Sequence, residues 1–470
     1  MKKRFLSLLS LIVVLSMALS MSVVCAEEIE NPAAEVMTKE TFVSSDNTAL
    51  PYRLYVPTDY NAEKEYSFLL FLHGAGNRGD TNESQVSANT GLINRIITGE
   101  TVTYDGEVID SSKEFIIVAP QCQKEYQWVD TPWSVKPDPS YKLDEIPHSQ
   151  YMTAVVELIG QMQEKYNLNS SRMYITGLSM GGFGTWDLLM RYPDLFAAAI
   201  PMGGAGDTSK ADVIKNIPVW TFHQLHDPTV ASAGTVAMVK ALTEVGAEVR
   251  FTPYFDPIHN AWTKGYAEPE LLQWLYSHTK EDKNEEAVQT NPITDGASDW
   301  AKGEVALAYA SGIMPKQIAD SYQADITREE FCEMVVNILP QSLEVSRTAE
   351  FADCENNAVE YAYSIGVVNG VSNTEFAPSA KATREEMATM LYRAYKLIAP
   401  EAMPALSVDH PDKDLISEWA VEAVDFMSES GIMLGDDEGN IMPKQNTTRE
   451  QATLLVYRTY CSAQVYGKEI

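Results

Sequence analysis

The chain of 470 residues is 45% hydrophobic and 21% charged, an ordinary globular composition that excludes wholesale disorder. Lysine and arginine number 35 against 66 aspartate and glutamate, a formal charge of −31, and no basic run gathers locally, which argues against a nucleic-acid partner. The length suggests roughly two to four domains, each able to bury a core of its own.

At the N-terminus Lys2, Lys3 and Arg4 precede an apolar run from Phe5 to Val24, and Val24 and Ala26 place small residues ahead of Glu27. This pattern predicts a secretory signal peptide over residues 1–26. An uncleaved membrane anchor is the competing reading, since the run approaches the roughly 20 residues needed to span a bilayer; its serines and small-residue exit favour cleavage. No second run of that length follows, so the secreted chain is expected to be soluble. Cys25 leaves with the signal, and Cys122, Cys332, Cys354 and Cys461 remain widely spaced, with three pairings open. No C-x-x-C or His/Cys cluster suggests zinc, and neither a metal nor an organic cofactor is expected.

Residues 27–280 alternate β-rich runs with amphipathic stretches, the pattern of helices covering both faces of a mainly parallel sheet, an α/β class. The predicted strands are Phe68 to Leu72, Phe115 to Ala119, Met173 to Thr176, Ala197 to Pro201, Val219 to Phe222 and Val249 to Tyr254. Helical apolar spacing marks Tyr151 to Tyr166, Phe183 to Arg191, Thr235 to Val245 and Pro269 to His278. A polar linker is expected over 281–296. After it the phrases Thr327-Arg328-Glu329, Thr383-Arg384-Glu385 and Thr448-Arg449-Glu450 recur, following Gly312, Gly366 and Gly431. They predict mostly helical repeats over 297–340, 345–400 and 405–465, with each threonine an N-cap and the following acid in the first helical turn.

Gly177-Leu178-Ser179-Met180-Gly181 matches G-x-S-x-G between a predicted strand and a predicted helix. That context puts Ser179 on a sharp turn at a sheet edge, with a helix N-terminus beneath it. A serine nucleophile needs a base and an orienting carboxylate, here expected in the order Ser, acid, His. Of the seven histidines, His259 follows a strand in a loop where α/β enzymes collect their sites, and is the expected base. His73, His148, His278 and His410 suit structural roles, and His223 and His226 precede the acid. Asp227, after the strand Val219 to Phe222, is the expected acid, with Asp256 competing. Two N–H groups must receive the oxyanion: that of Met180, and one from Leu72-His73-Gly74-Ala75-Gly76, assigned to Ala75. A phosphate-binding role for that Gly-rich loop fails, because neither a Walker pattern nor G-x-G-x-x-G accompanies it. Trp128 and Trp133 are candidates for an apolar or sugar-stacking substrate wall, with loop packing as the competing role.

On the phrases from Leu70 to Asp80, from Val118 to Gln121, from Gly177 to Trp186 and from His259 to Trp262, the first region resembles the α/β-hydrolase superfamily. More narrowly it resembles secreted esterases and peptidases related to feruloyl esterases and polyhydroxybutyrate depolymerases. The resemblance implies Ser179, Asp227 and His259 as the triad of a serine carboxylic-ester hydrolase acting on acyl esters, among them those of plant polysaccharide. It departs at Gln224, where the group usually has glycine. The repeats resemble S-layer homology domains, which implies binding to secondary cell-wall polysaccharide and display on a Gram-positive-type cell wall, with Trp300, Arg328, Arg384, Trp419 and Arg449 as glycan contacts. Chemically, an arginine fork suits a carboxylate-bearing sugar. Here too there are departures: Cys354 stands where the other repeats have Trp300 and Trp419, and Lys316 replaces the glycine seen at Gly370 and Gly435. The competing role for each arginine is pairing with neighbouring glutamate inside the bundle. Two other functions stay open, a serine peptidase of the same fold and a wall-binding protein with a vestigial hydrolase domain.

Overall fold

The computed structural model describes residues 31–132, 142–281, 292–340, 343–348, 351–401 and 408–466. The expected signal peptide, Trp133 and most of the expected linker lie outside these residues. Ten strands are present among them: β1 (Thr38–Val43), β2 (Ala49–Tyr55), β3 (Tyr66–Leu72), β4 (Thr101–Tyr104), β5 (Glu107–Asp110), β6 (Phe115–Pro120), β7 (Leu168–Leu178), β8 (Ala198–Met202), β9 (Val219–Gln224) and β10 (Val249–Tyr254). Eight form one sheet in the order β1-β2-β6-β3-β7-β8-β9-β10, while β4 and β5 make a separate hairpin. β1 and β2 join antiparallel, and the run from β6 to β10 is parallel.

The interior strands form because their sequences are apolar without interruption. β3 (YSFLLFL) and β6 (FIIVAP) are buried at every position, as a strand covered on both faces requires. Alternate residues point to opposite faces, so Phe68, Leu70, Met173 and Ile175 join one apolar cluster and Leu69, Phe71, Tyr174 and Ile200 the other. β1 (TKETFV) is exposed at most positions, and its Lys39 and Glu40 suit an edge that must not pair further. It lacks the apolar run that marks the other strands, so the antiparallel β1-β2 extension was not among the predicted elements.

Helices α1 (Gln150–Lys165), α2 (Met180–Arg191), α3 (Ala233–Glu244), α4 (Ala261–Gly265) and α5 (Leu271–Ser277) connect and cover the strands. In α1 the Ser149 hydroxyl caps the first turn by accepting the Met152 N–H at 3.1 Å, and Tyr151, Val155, Leu158, Ile159 and Met162 form the buried stripe. β6 and β7 lie on opposite sides of β3, so the chain reverses direction across the sheet there and opens a crevice at the strands' carboxyl ends.

Residues beyond 292 form α6 (Lys302–Ala310), α7 (Arg328–Val336), α8 (Asn357–Ser364), α9 (Arg384–Ile398), α10 (Val421–Glu429) and α11 (Arg449–Tyr466). In sequence they make three units, α6/α7, α8/α9 and α10/α11, but the packed pairs join neighbouring units: α6 lies on α11, α7 on α8 and α9 on α10. Each short helix stops at a glycine with left-handed backbone, Gly312 (φ 71°), Gly366 (φ 84°) and Gly431 (φ 68°). Single β-bridges tie every pair of units: Asp325 to Thr448, Thr327 to Lys381, and Thr383 to Asn446. The units therefore close into a ring. This bundle does not stand apart from the sheet region. α6 packs on α3 and β10, one apolar cluster runs through both regions, and Phe255 meets Tyr460 of α11 edge-on with ring centroids 5.9 Å apart.

Candidate active site

At the crevice, Leu72 at the end of β3 pairs in register with Gly177 of β7, and Leu178 with Met202 of β8. The next residue, Ser179, has φ 54° and ψ −119°, a conformation a side chain adopts only under constraint. Its N–H donates to Met202 O at 2.8 Å, and the flanking glycines make the turn sterically possible. A Cβ at Gly181 would sit 1.9 Å from Leu72 O, and one at Gly177 would sit 2.3 Å from Gly181 O. The local sequence is thus dictated by a backbone forced close to its neighbours so that the serine side chain projects at the rim.

His259 Nε2 lies 2.8 Å from Ser179 Oγ, and its Nδ1 lies 2.5 Å from Asp227 Oδ2. A carboxylate only accepts, so Nδ1 carries the proton and Nε2 is free to accept from the serine hydroxyl. The second Asp227 oxygen accepts the N–H groups of Thr229 (2.8 Å) and Val230 (3.0 Å). Burial alone would raise the Asp227 pKa, but hydrogen bonds from His223, His259, Val230 and Thr229 outweigh it and hold the carboxyl well below the usual carboxylate range. Asp256, the competing acid, pairs instead with Lys264 at 3.0 Å.

Met180 opens α2, so its N–H has no acceptor within the helix. Ala75 opens a 3₁₀ turn, Ala75–Asn77, directly after Gly74, at which a Cβ would lie 3.5 Å from Ser179 Cβ. The Arg78 guanidinium donates to Ala75 O at 3.0 Å, fixing the turn. His73 is buried beneath it. Its Nδ1–H donates to Gly74 O (2.7 Å), its Nε2 accepts from Cys122 N (3.0 Å), and burial lowers its pKa to about 4, so it stays neutral and structural.

Trp128 corrects one expectation. It is fully buried, donates Nε1–H to His73 O at 3.0 Å and packs edge-on against the His73 ring, so it supports the Ala75 turn from behind and faces no substrate. Trp133 lies outside the described residues. Two residues that sequence reasoning did not use also hold the site. Gln224 is buried, and its Oε1 accepts the Asn260 N–H at 2.7 Å, anchoring the loop that carries His259. His223 lies beside Asp227 at 3.5 Å. The departure from glycine at 224 was a legible signal for the first.

In the helical ring the recurring phrase has a different use from the one expected. Arg328 donates to Phe376 O (3.1 Å), Asn369 O (3.2 Å) and Glu386 (3.0 Å), and Arg384 to Ile441 O (2.6 Å) and Leu434 O (2.8 Å). Arg449 closes the ring on Glu330. Arg328 and Arg384 are buried, which corrects their expected place as glycan contacts: they clamp the loop of the next unit. The acid after each arginine grips the start of the next unit's short helix. Glu385 accepts the Ser417 N–H (2.9 Å), Glu450 the Ser298 N–H (2.9 Å), and Glu329 binds Asn356 Nδ2 (2.9 Å). Trp300 and Trp419, just after two of these anchor points, are 60% and 58% exposed.

Among the described residues no group of side chains is arranged to hold a metal ion, no helix is long and apolar enough to cross a membrane, and Cys122, Cys332, Cys354 and Cys461 are unpaired.

Comparison with known proteins matches residues 44–265 to the family described as "Putative esterase", and residues 352–388 and 411–453 to the S-layer homology domain. Exoglucanase XynX of Acetivibrio thermocellus is 27% identical over 262 residues, covering 53% of this chain and 23% of that protein. An endoglucanase of Bacillus sp. (strain KSM-635) is 31% identical over 181 residues, covering 37% of this chain and 19% of that protein. The chain thus spans less than a quarter of the length of these curated relatives. A solved thermostable esterase is 34% identical, with a TM-score of 0.45 over 53% of this chain and 64% of that one. Residues 44–265 thus match the esterase family model on a mainly parallel eight-stranded sheet, and share their chain with regions that match S-layer homology domains.

Proposed function

We propose that the chain is a serine carboxylic-ester hydrolase displayed at the bacterial cell wall. The observation that carries this reading is the unbroken hydrogen-bond chain from Ser179 through His259 to Asp227. Ser179 Oγ attacks the ester carbonyl while His259 Nε2 takes its proton, and Asp227 stabilises the imidazolium that results. The carbonyl oxygen, now negative, is received by the N–H groups of Met180 and Ala75. His259 returns the proton to the departing alcohol, leaving an acyl-Ser179 ester. Water, deprotonated by His259, then attacks that ester and releases the acid and the serine.

The relatives named exoglucanase and endoglucanase favour an ester borne on a polysaccharide. The S-layer homology domains favour anchoring to secondary cell-wall polysaccharide, with exposed Trp300 and Trp419 offering stacking faces for sugar rings. The predicted signal peptide is consistent with secretion. Nitrophenyl acetate, feruloyl and peptide substrates, assayed side by side with the full chain and with Ser179→Ala, test the reading. Ester turnover that disappears in the variant is expected. Turnover that survives it removes the serine mechanism, and turnover confined to peptides reassigns the chain to a peptidase.

A further inference from the structure

His223 is fully buried at the end of β9, and the hydroxyl and carbonyl groups around it fix its protons. Its Nε2 lies 3.0 Å from Val230 O and 3.5 Å from the Asp227 carboxylate, and its Nδ1 lies 2.7 Å from Thr235 Oγ1. Thr235 Oγ1 in turn lies 2.5 Å from Gly204 O. A carbonyl oxygen only accepts, so Gly204 takes the single Thr235 hydroxyl proton, and the Val230 contact needs a proton on Nε2. With its proton committed, Thr235 Oγ1 can only accept from His223, which needs a proton on Nδ1 as well. A ring protonated on Nε2 alone leaves one link of the His223–Thr235–Gly204 chain as two lone pairs facing each other. A ring protonated on Nδ1 alone turns a bare nitrogen towards both Val230 O and Asp227. Either arrangement strands buried polar atoms without partners, which is costly in a site closed to water.

We infer that His223 is held as an imidazolium and is a positioning residue: it contacts the same Asp227 oxygen, Oδ2, that receives His259 Nδ1, and offsets part of its charge. This inference rests on the triad reading above. The strong depression of the Asp227 pKa agrees with it, since His223 stands first among the groups that counter the effect of burial.

The other charged groups on surrounding elements are engaged elsewhere or point to solvent. Asp256, on the loop after β10, pairs with Lys264 of α4 at 3.0 Å. Asp207, on the loop after β8, accepts the Leu143 N–H at 2.9 Å and pairs with Lys142 at 3.4 Å. His226 is exposed, and α3 presents only the Thr235 hydroxyl to the His223 ring. The local balance at His259 is therefore set by Asp227 and His223 together.

The consequence is a carboxylate shared between two imidazole rings. An unopposed Asp227 carboxylate would favour the protonated form of His259, which cannot accept from Ser179. A positive charge at the same Asp227 oxygen competes with His259 for that carboxylate and weakens this preference.

Two measurements on the full chain test this. In nitrogen NMR of the wild-type protein at neutral pH, both ring nitrogens of His223 are expected to carry protons; a bare nitrogen overturns the inference. In kinetics, His223→Gln is expected to move the acid limb of kcat/KM to higher pH by about one unit. A limb that stays in place while kcat falls marks a purely structural residue and also overturns it. If the wild type turns over no ester, the esterase reading fails, and the nitrogen spectrum still decides the state of His223.

Discussion

The sheet region and the helical ring both carry recognisable phrases, yet they use them in opposite ways. Gly177-Leu178-Ser179-Met180-Gly181 occurs once and turns its central side chain outward to the crevice, where partners 48 and 80 residues further on meet it. Thr-Arg-Glu occurs three times, and in the first two units it turns its arginine inward to the carbonyls of the next unit. A motif therefore reports chemistry only when the backbone presents its side chain to solvent or substrate. Strain at Ser179 and the close approach of Gly181 to Leu72 O enforce that presentation. Helix capping and burial remove it from Arg328 and Arg384.

The comparison is broken most directly by substitutions at the rim. Ser179→Ala or His259→Ala is expected to lower kcat at least about a thousand-fold with the fold intact, measured by turnover and circular dichroism. Asp227→Asn is expected to lose about 10⁴-fold, because it removes the acceptor that fixes the His259 tautomer, whereas Asp256→Asn keeps near wild-type turnover. Asp227 also links stability to pH. Its folded pKa lies below the unfolded value of about 3.8, so its stabilising contribution is complete above that pH and is lost as pH falls towards the folded value. Urea unfolding of wild type and Asp227→Asn across that range should show their difference shrinking with acid.

The ring is sharpened by smaller effects. Arg328→Ala strips Glu386 of its buried partner and is expected to lower stability by about 3 kcal/mol, read from the denaturant midpoint. Arg449→Ala, at a more exposed ion pair, is expected to cost about 1 kcal/mol. Trp300→Ala and Trp419→Ala should leave the midpoint within about 0.5 kcal/mol, since both rings are exposed, while weakening sedimentation with cell-wall sacculi. Unchanged sedimentation would remove these tryptophans from the anchoring surface.

Much of this was legible in the sequence because uninterrupted apolar runs and glycine-fixed turns are local signals. β10 falls on the predicted residues Val249 to Tyr254, and the strand and helix around Ser179 fall where expected. β1 was not legible, because an exposed edge strand needs no apolar run. Nor was the burial of Trp128, since an aromatic in a polar loop reads the same whether it faces solvent or supports the turn beneath Ala75. The arginines misled for a related reason: their acceptors are backbone carbonyls of the following unit, and a sequence carries no mark of which carbonyls lack partners. Gln224 sat in plain view as a departure from glycine, but only the fold places its amide against the His259 loop.

The acylation of Ser179 is tested most directly by rapid mixing of a nitrophenyl ester with enzyme at known concentration, followed by mass measurement of the trapped protein. An initial release of about one nitrophenolate per chain, with the acyl mass on the peptide containing Ser179 and neither signal in Ser179→Ala, is the expected result. Acyl mass on a different residue, or turnover that persists in the variant, would contradict it.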